Sequence, residues 1–256
     1  MIVDIEKLKE FKLYYIKTNT ILDKFYLKYN YDEKKLEPLG GIPRNAIIQF
    51  VGTNGTGKSL MAVNITKNLI QNQKVVYITT ETPAEFIYYK IKEKTDNLKN
   101  LFLIDLTREL DMNKLFEQVK QITEEKETRL AILDSITGFY ENLENKARIV
   151  VRSIYNFFKR FYYTAIFISQ KRSSHDENNS EAAGGLAVAH IVDSTVVFMK
   201  KIIQNKWEEE DYKVKKGRMV RIIRVDDCRI CPHITTEIIF KITEDGEFEI
   251  VREKEV

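Results

Sequence analysis

"AIIQFVGTNGTGKSLMAVNITKNL", residues 46–69, is the stretch on which the reading of this chain turns. Ala46 to Val51 is a short, β-branched apolar run, the pattern of a strand buried on both faces. From Ser59 the spacing becomes helical, with polar punctuation. Between the two, Gly52, Thr53, Asn54, Gly55, Thr56, Gly57, Lys58 and Ser59 fit the spacing of a glycine, four residues, then Gly-Lys-Ser. Glycines permit the backbone angles that aim successive N–H groups at one point, and the following helix adds the positive end of its dipole. Such a strand–loop–helix cradles phosphate. Residues Gly52 to Leu60 would hold a nucleotide, with Lys58 on the β- and γ-phosphates and the Ser59 hydroxyl on Mg2+.

Outward from this loop the pattern alternates. "KVVYITT", "LFLIDL", "RLAILDS" and "TAIFISQ" read as further strands. "PAEFIYYKIKEK", residues 112–125 and "ARIVVRSIYNFFKRFYY" read as the helices between them. Strands alternating with helices imply crossover units, hence an α/β fold with a mainly parallel central sheet flanked by helices. After about Ala187 the helices are expected to stop. "DSTVVFMKK", "GRMVRIIRVDD" and "TEIIFKITEDGEFEIV" suggest a C-terminal antiparallel β extension, with "EDGE" as a hairpin turn. At the other end, apolar residues between Ile5 and Leu27 have mostly helical spacing. They predict an N-terminal helical extension over residues 1–37, ahead of a main domain over 38–256.

With 256 residues the chain can bury a sizeable core. Charged residues are 31% of the sequence, yet the net charge is only +3, which makes no electrostatic case for nucleic acid or an anionic membrane. No apolar run reaches the length of a membrane span, and the first residues lack a signal-peptide core. The expectation is a cytoplasmic protein without a membrane partner. Two cysteines exclude a disulfide framework.

Hydrolysis of a bound nucleotide needs a metal-supporting carboxylate and a group to activate water. Asp134 ends the apolar strand "LAILD", at the carboxyl edge of the sheet where ligands collect. Beside it, Ser135 is small and polar. Glu81 follows "VVYITT" and could orient and deprotonate water. Gln170 ends "IFISQ" and could contact the γ-phosphate. As plain structural residues, Asp134 and Glu81 would be helix-capping acids.

The ordered set "GGIP", "GTGKS", "TTET", "LDS" and "SQ", each at its strand, resembles the RecA superfamily, and most closely its KaiC-like and RadA-like branch. "GGLAVAHIVDSTVVF" (Gly184–Phe198) and "DDCRICPHITTEIIFKITEDGEFEI" (Asp226–Ile250) extend the resemblance, which covers roughly residues 38–252. It implies an ATP-binding, Mg2+-dependent, RecA-like P-loop ATPase of regulatory type. In it, Asp134 supports the metal with Ser59, Glu81 prepares the water, and Gln170 couples the γ-phosphate to the next loop. Arg229 falls on the family's arginine and His233 on its histidine. The resemblance then places Arg229 in a neighbouring subunit's site, within a ring or filament such as a hexamer, where its charge would stabilise the transition state. A surface arginine is the structural alternative.

Departures from the branch narrow these readings. The positions that carry Ser-Thr in self-phosphorylating relatives are Ala189 and His190 here, so autokinase activity is not expected. Asp227 stands where the family has a lysine. The loops that face DNA in recombinases mix Lys171, Arg172 and Arg148 with Asp176, Glu177 and Glu181, a poor match for phosphate contacts. A RadA-paralogue-like protein binding single-stranded DNA remains an alternative, as does a nucleotide-gated binding protein that does not hydrolyse, acting on an unidentified protein partner. Cys228 and Cys231 with His233 invite a zinc reading, and the two cysteines alone a redox pair. The other histidines, His175 and His190, lie far off in sequence, so two small residues at a strand end is the preferred account.

Overall fold

The computed structural model describes residues 12–93, 95, 97–141, 146–171 and 190–254. The strands are β1 (Tyr15–Ile16), β2 (Leu27–Asn30), β3 (Lys35–Pro38), β4 (Ile42–Pro43), β5 (Ile47–Gly52), β6 (Val75–Thr79), β7 (Leu101–Asp105), β8 (Leu130–Asp134), β9 (Thr164–Gln170), β10 (Ser194–Ile202), β11 (Met219–Cys228), β12 (Glu237–Ile242) and β13 (Phe248–Lys254). The helices are α1 (Lys58–Leu69), α2 (Ala84–Lys92), α3 (Met112–Lys126), α4 (Ala147–Arg160) and α5 (Lys206–Tyr212).

A 9-stranded sheet in the order β13-β12-β11-β10-β5-β9-β8-β6-β7 organises the molecule. Strands β10, β5, β9, β8, β6 and β7 run parallel, and β11, β12 and β13 continue antiparallel. Alternation along the strands divides the core in two. Ile48, Phe50, Leu130 and Ile132 face a cluster with Met61 and Ile65 of α1 and Ile87 and Ile91 of α2. Ile47, Val51, Ala131 and Leu133 face the opposite cluster, with Leu115 and Val119 of α3 and Val151, Ile154 and Phe158 of α4. Both faces are therefore covered by helices, which is why the parallel strands read as unbroken apolar runs.

Local chemistry sets the helix ends. Asp111 caps α3 by accepting from the Asn113 N–H at 2.7 Å, and Glu127 in left-handed backbone ends it. Helix α4 places Ala147, Val151, Ile154 and Phe158 on one buried stripe. It stops where Tyr162 turns left-handed and the Tyr163 N–H returns to the Phe158 carbonyl.

Two expectations are corrected. In the described part of the N-terminal extension there is a strand, one turn of 3-10 helix (Ile21–Lys24) and the β2–β3 hairpin, not a pair of helices. The break lies at Thr18-Asn19-Thr20. Asn19 is left-handed, and the Asp23 carboxylate accepts from the Thr18 and Asn19 N–H groups and the Thr18 hydroxyl. Tyr15 and Ile16 pair with Pro43 and Ile42, and Leu22, Phe25 and Tyr26 are fully buried in the cluster shared with α1. A strand followed by a tight turn had imitated helical spacing. The second correction is α5, which follows Ala187. Asn205 caps it through the Glu208 N–H, and the Glu208 carboxylate is bound by Lys201 and the Gln204 N–H.

Candidate nucleotide site

The loop between β5 and α1 opens at the carboxyl edge of the parallel strands. Gly52 has no room for a side chain: a Cβ there would lie 2.2 Å from the Phe198 carbonyl oxygen on β10. Gly57, at φ 107°, makes the left-handed turn from which α1 starts at Lys58. Thr56 ties the loop internally through its hydroxyl to the Thr53 carbonyl, 2.9 Å. A cleft of about 350 Å³ lies above, lined among others by Asn54, Lys58, Ser59, Glu81, Asp134 and Gln170. Gly55, Gly57 and Leu60 complete the loop's contribution to this lining.

Lys58 is buried, and its ammonium donates to the Gly52 and Thr53 carbonyls at 2.8 and 2.9 Å. Burial pulls its pKa down to about 8; the Asp134 and Glu81 carboxylates oppose this, and Lys200 adds to it. A cation so poorly solvated is primed to exchange two carbonyls for an anion. Asp134 is also buried. One of its oxygens accepts from the Ser59 hydroxyl at 3.2 Å, the other from the fully buried Tyr77 hydroxyl at 2.8 Å. Burial pushes its carboxyl upward, against the Tyr77 and Ser59 hydrogen bonds. A paired hydroxyl and carboxylate form the hard-oxygen donor set that suits Mg2+.

Glu81 lies beside this pair. Its carboxylate accepts from the Gln170 side-chain amide at 2.7 and 2.8 Å, and from the Ser135 hydroxyl. Gln170 is in turn fixed by its backbone N–H to the Thr137 hydroxyl, 2.9 Å. Thr80 clasps the ends of β6 and β8: its hydroxyl exchanges hydrogen bonds with the Ser135 N–H and carbonyl, both 2.9 Å, across a cis Asp134–Ser135 peptide. The structure thus gathers Lys58, Ser59, Asp134, Glu81 and Gln170 from four separate strand ends.

Arg229 is not among them. It follows β11, where Cys228 pairs with Ser194, and Ser194 pairs with Ile48 at the start of β5. Gly52 lies at the far end of β5, about 13 Å away at 3.3 Å per residue. Arg229 therefore sits at the opposite, amino edge, half exposed and 3.6 Å from Asp227. Sequence reasoning missed Tyr77, Thr80 and Thr137, which look like ordinary strand and loop residues. It also missed Lys200 and Arg221. Lys200 donates to the Asn54 carbonyl at 2.6 Å, and Arg221 approaches the Gly55 carbonyl at 3.5 Å. Only the register of β10 and β11 brings those cations over the loop. Residues 172–189, with the loop charges Arg172, Asp176, Glu177 and Glu181, lie outside the described residues.

A doubly covered, mainly parallel sheet with this loop at its carboxyl edge defines a P-loop nucleotide-binding protein of the RecA superfamily. Within that class the chain belongs to the family described as "ATPase: KaiC", which it matches over residues 16–255. It is 23% identical over 225 residues to the circadian clock oscillator protein KaiC of Picosynechococcus sp., covering 81% of this chain and 41% of that protein. It is 27% identical over 184 residues to the DNA repair protein RadA of Aquifex aeolicus, covering 66% and 39%. The chain thus spans about two fifths of the length of these relatives. A KaiC-like protein from Pyrococcus horikoshii OT3 shares the fold at a TM-score of 0.69 and 16% identity, over 94% of this chain and 100% of that one. No helix among the described residues is long and apolar enough to cross a membrane.

Proposed function

We propose that the chain is a Mg2+-dependent ATPase of regulatory type whose site is completed by a second copy. The observation that carries this is the Glu81 carboxylate, held by Gln170 and Ser135 beside the Ser59–Asp134 pair. Lys58 would leave the Gly52 and Thr53 carbonyls for the β- and γ-phosphates. Ser59 and Asp134 would hold Mg2+, which supplies charge neutralisation at the phosphates when bound. Glu81 orients the attacking water and accepts its proton, and Gln170 keeps that carboxylate aimed. A carboxylate so held favours turnover over a protein that only binds ATP.

The assignment of Arg229 to a shared site rests on the resemblance to the KaiC-like and RadA-like branch. In its own chain the cleft lies at the other edge of the sheet, so Arg229 serves phosphate chemistry only in a neighbour, as in a ring or filament. Two measurements test these readings. ATP hydrolysis by the purified chain should require Mg2+ and vanish in Lys58→Ala. Mixing inactive Lys58→Ala with inactive Arg229→Ala should restore part of the activity, because each supplies what the other lacks. Mixtures that stay inactive speak against the composite site. The likeness to RadA supports a DNA-linked role more weakly; turnover stimulated by single-stranded DNA and lost at high salt would favour it.

A further inference from the structure

The turn Cys228-Arg229-Ile230-Cys231 holds two free thiols with their sulfurs 3.8 Å apart. Their proximity is built into the fold. On one side, the Arg229 N–H donates to the Asp193 carbonyl at 2.9 Å. On the other, the Leu27 N–H donates to the Pro232 carbonyl at 2.8 Å and the Ile234 N–H to the Phe25 carbonyl at 2.9 Å, while Tyr26 bridges to His233. Backbone pinned on both flanks leaves the sulfurs facing each other. Among the described residues no third potential ligand joins them to make a metal nest, and the His233 ring is engaged with the Ile234 carbonyl.

The two sulfurs are unequal. Cys231 is buried and Cys228 half-buried, so Cys228 is the more open to a visitor. The Cys231 thiol, helped by the backbone N–H groups of Cys231 and Ile230, pulls the Cys228 thiol down against the burial that pushes it up. The Cys228 sulfur and burial push Cys231 upward. That pull favours the thiolate on Cys228, the more accessible of the two sulfurs.

We propose that Cys228 and Cys231 form a reversible dithiol–disulfide site, in which Cys228 meets an external small-molecule disulfide and Cys231 closes the bond. The Cys228 thiolate attacks one sulfur of the visitor, forming a mixed disulfide and releasing one thiolate. That step removes the negative neighbour that had raised Cys231. Cys231 then gives up its proton and attacks the Cys228 sulfur, releasing the second small thiolate, which carries the proton away. The net change oxidises two protein thiols and reduces one disulfide to two thiols. If Arg229 completes a neighbour's site, as proposed above, the bond fixes the turn that delivers it. That consequence rests on the composite site; the crosslink does not, and alkylation reads it without reference to ATP turnover.

The full chain is incubated with graded mixtures of oxidised and reduced glutathione, quenched in acid, unfolded, alkylated and weighed. An internal Cys228–Cys231 bond that excess reduced glutathione reverses is the expected product. Cys231→Ser should instead accumulate glutathione on Cys228, and faster than Cys228→Ser takes it up on Cys231, because Cys228 is the more exposed. Two cysteines that alkylate as free thiols at every ratio overturn the proposal, and so does faster uptake at Cys231.

Discussion

The two edges of the one parallel sheet make an instructive contrast. At the amino edge lies the larger cleft, about 590 Å³, lined by Tyr14, Arg44, Lys74, Glu127, Arg129 and Tyr162 among others. At the carboxyl edge lies the smaller one, about 350 Å³, over the glycine loop. Size and cation count favour the first, and the backbone field favours the second. Helices α1, α3 and α4 end at the amino edge, where their free carbonyls concentrate negative partial charge. Of the three cations there, Arg129 is already occupied with that charge. Arg129 donates to the Thr128 and Thr123 carbonyls at 2.8 and 3.3 Å, and Asn100 donates to the Ile70 carbonyl at 2.8 Å. At the carboxyl edge α1 begins, so its free N–H groups face the cleft, which Lys58 also lines. Chain direction, more than volume, decides where a phosphate binds.

The strongest way to break this contrast is to remove the key cation at each edge. Lys58→Ala should weaken binding of ATP by about 100-fold, since a charge-assisted contact to phosphate is worth about 3 kcal/mol. Arg129→Ala should leave ATP affinity within about twofold, because it lines the amino-edge cleft, away from the glycine loop. Calorimetric titration of both proteins compares them directly; equal losses would erase the distinction between the edges. Tyr77→Phe keeps the buried ring and removes only the hydroxyl on Asp134. It should cost about 1–3 kcal/mol of stability by thermal or denaturant unfolding, as one carboxylate oxygen loses its donor.

The Lys58 ammonium gives a pH test. Unliganded, its pKa is pulled to about 8 by burial. A bound phosphate favours the charged form and raises that value, so binding is full below pH 8 and weakens as pH rises through it. Lys58→Arg should flatten the profile over pH 8–10, because guanidinium keeps its charge. A smaller effect than that of Lys58 concerns Lys200 above the loop. Lys200→Ala should lower ATP affinity about threefold at low salt and hardly at all at high salt, since this cation is partly solvated and screened.

Local signals made most of this carboxyl edge legible in the sequence. Glycine spacing marks the loop, and a polar residue ending each apolar run marks Asp134, Glu81 and Gln170. Those strand ends converge because parallel strands all deliver their carboxyl ends to one side. What stayed hidden depends on pairing between distant segments. Tyr77 looks like any strand aromatic until β6 lies beside β8, and Lys200 looks like a solvated strand end until β10 pairs with β5. The N-terminal segment misled for a related reason. Ile16, Ile21, Leu22, Phe25 and Tyr26 are all buried as expected. But a two-residue strand and one helical turn bury the same residues as a regular helix would, and only the Asp23 hydrogen bonds at the Thr18–Asn19 turn separate the two.

The central claim is that Glu81 is an aimed base and not merely a polar residue at a loop. Glu81→Gln keeps the side chain's size and its place beside Gln170 and Ser135 while removing its basicity. Single-turnover ATP hydrolysis, with binding measured on the same preparation, tests the claim most directly. The expected result is unchanged ATP affinity with hydrolysis slowed by about 10²–10⁴-fold. Turnover equal to that of the unsubstituted protein would contradict it.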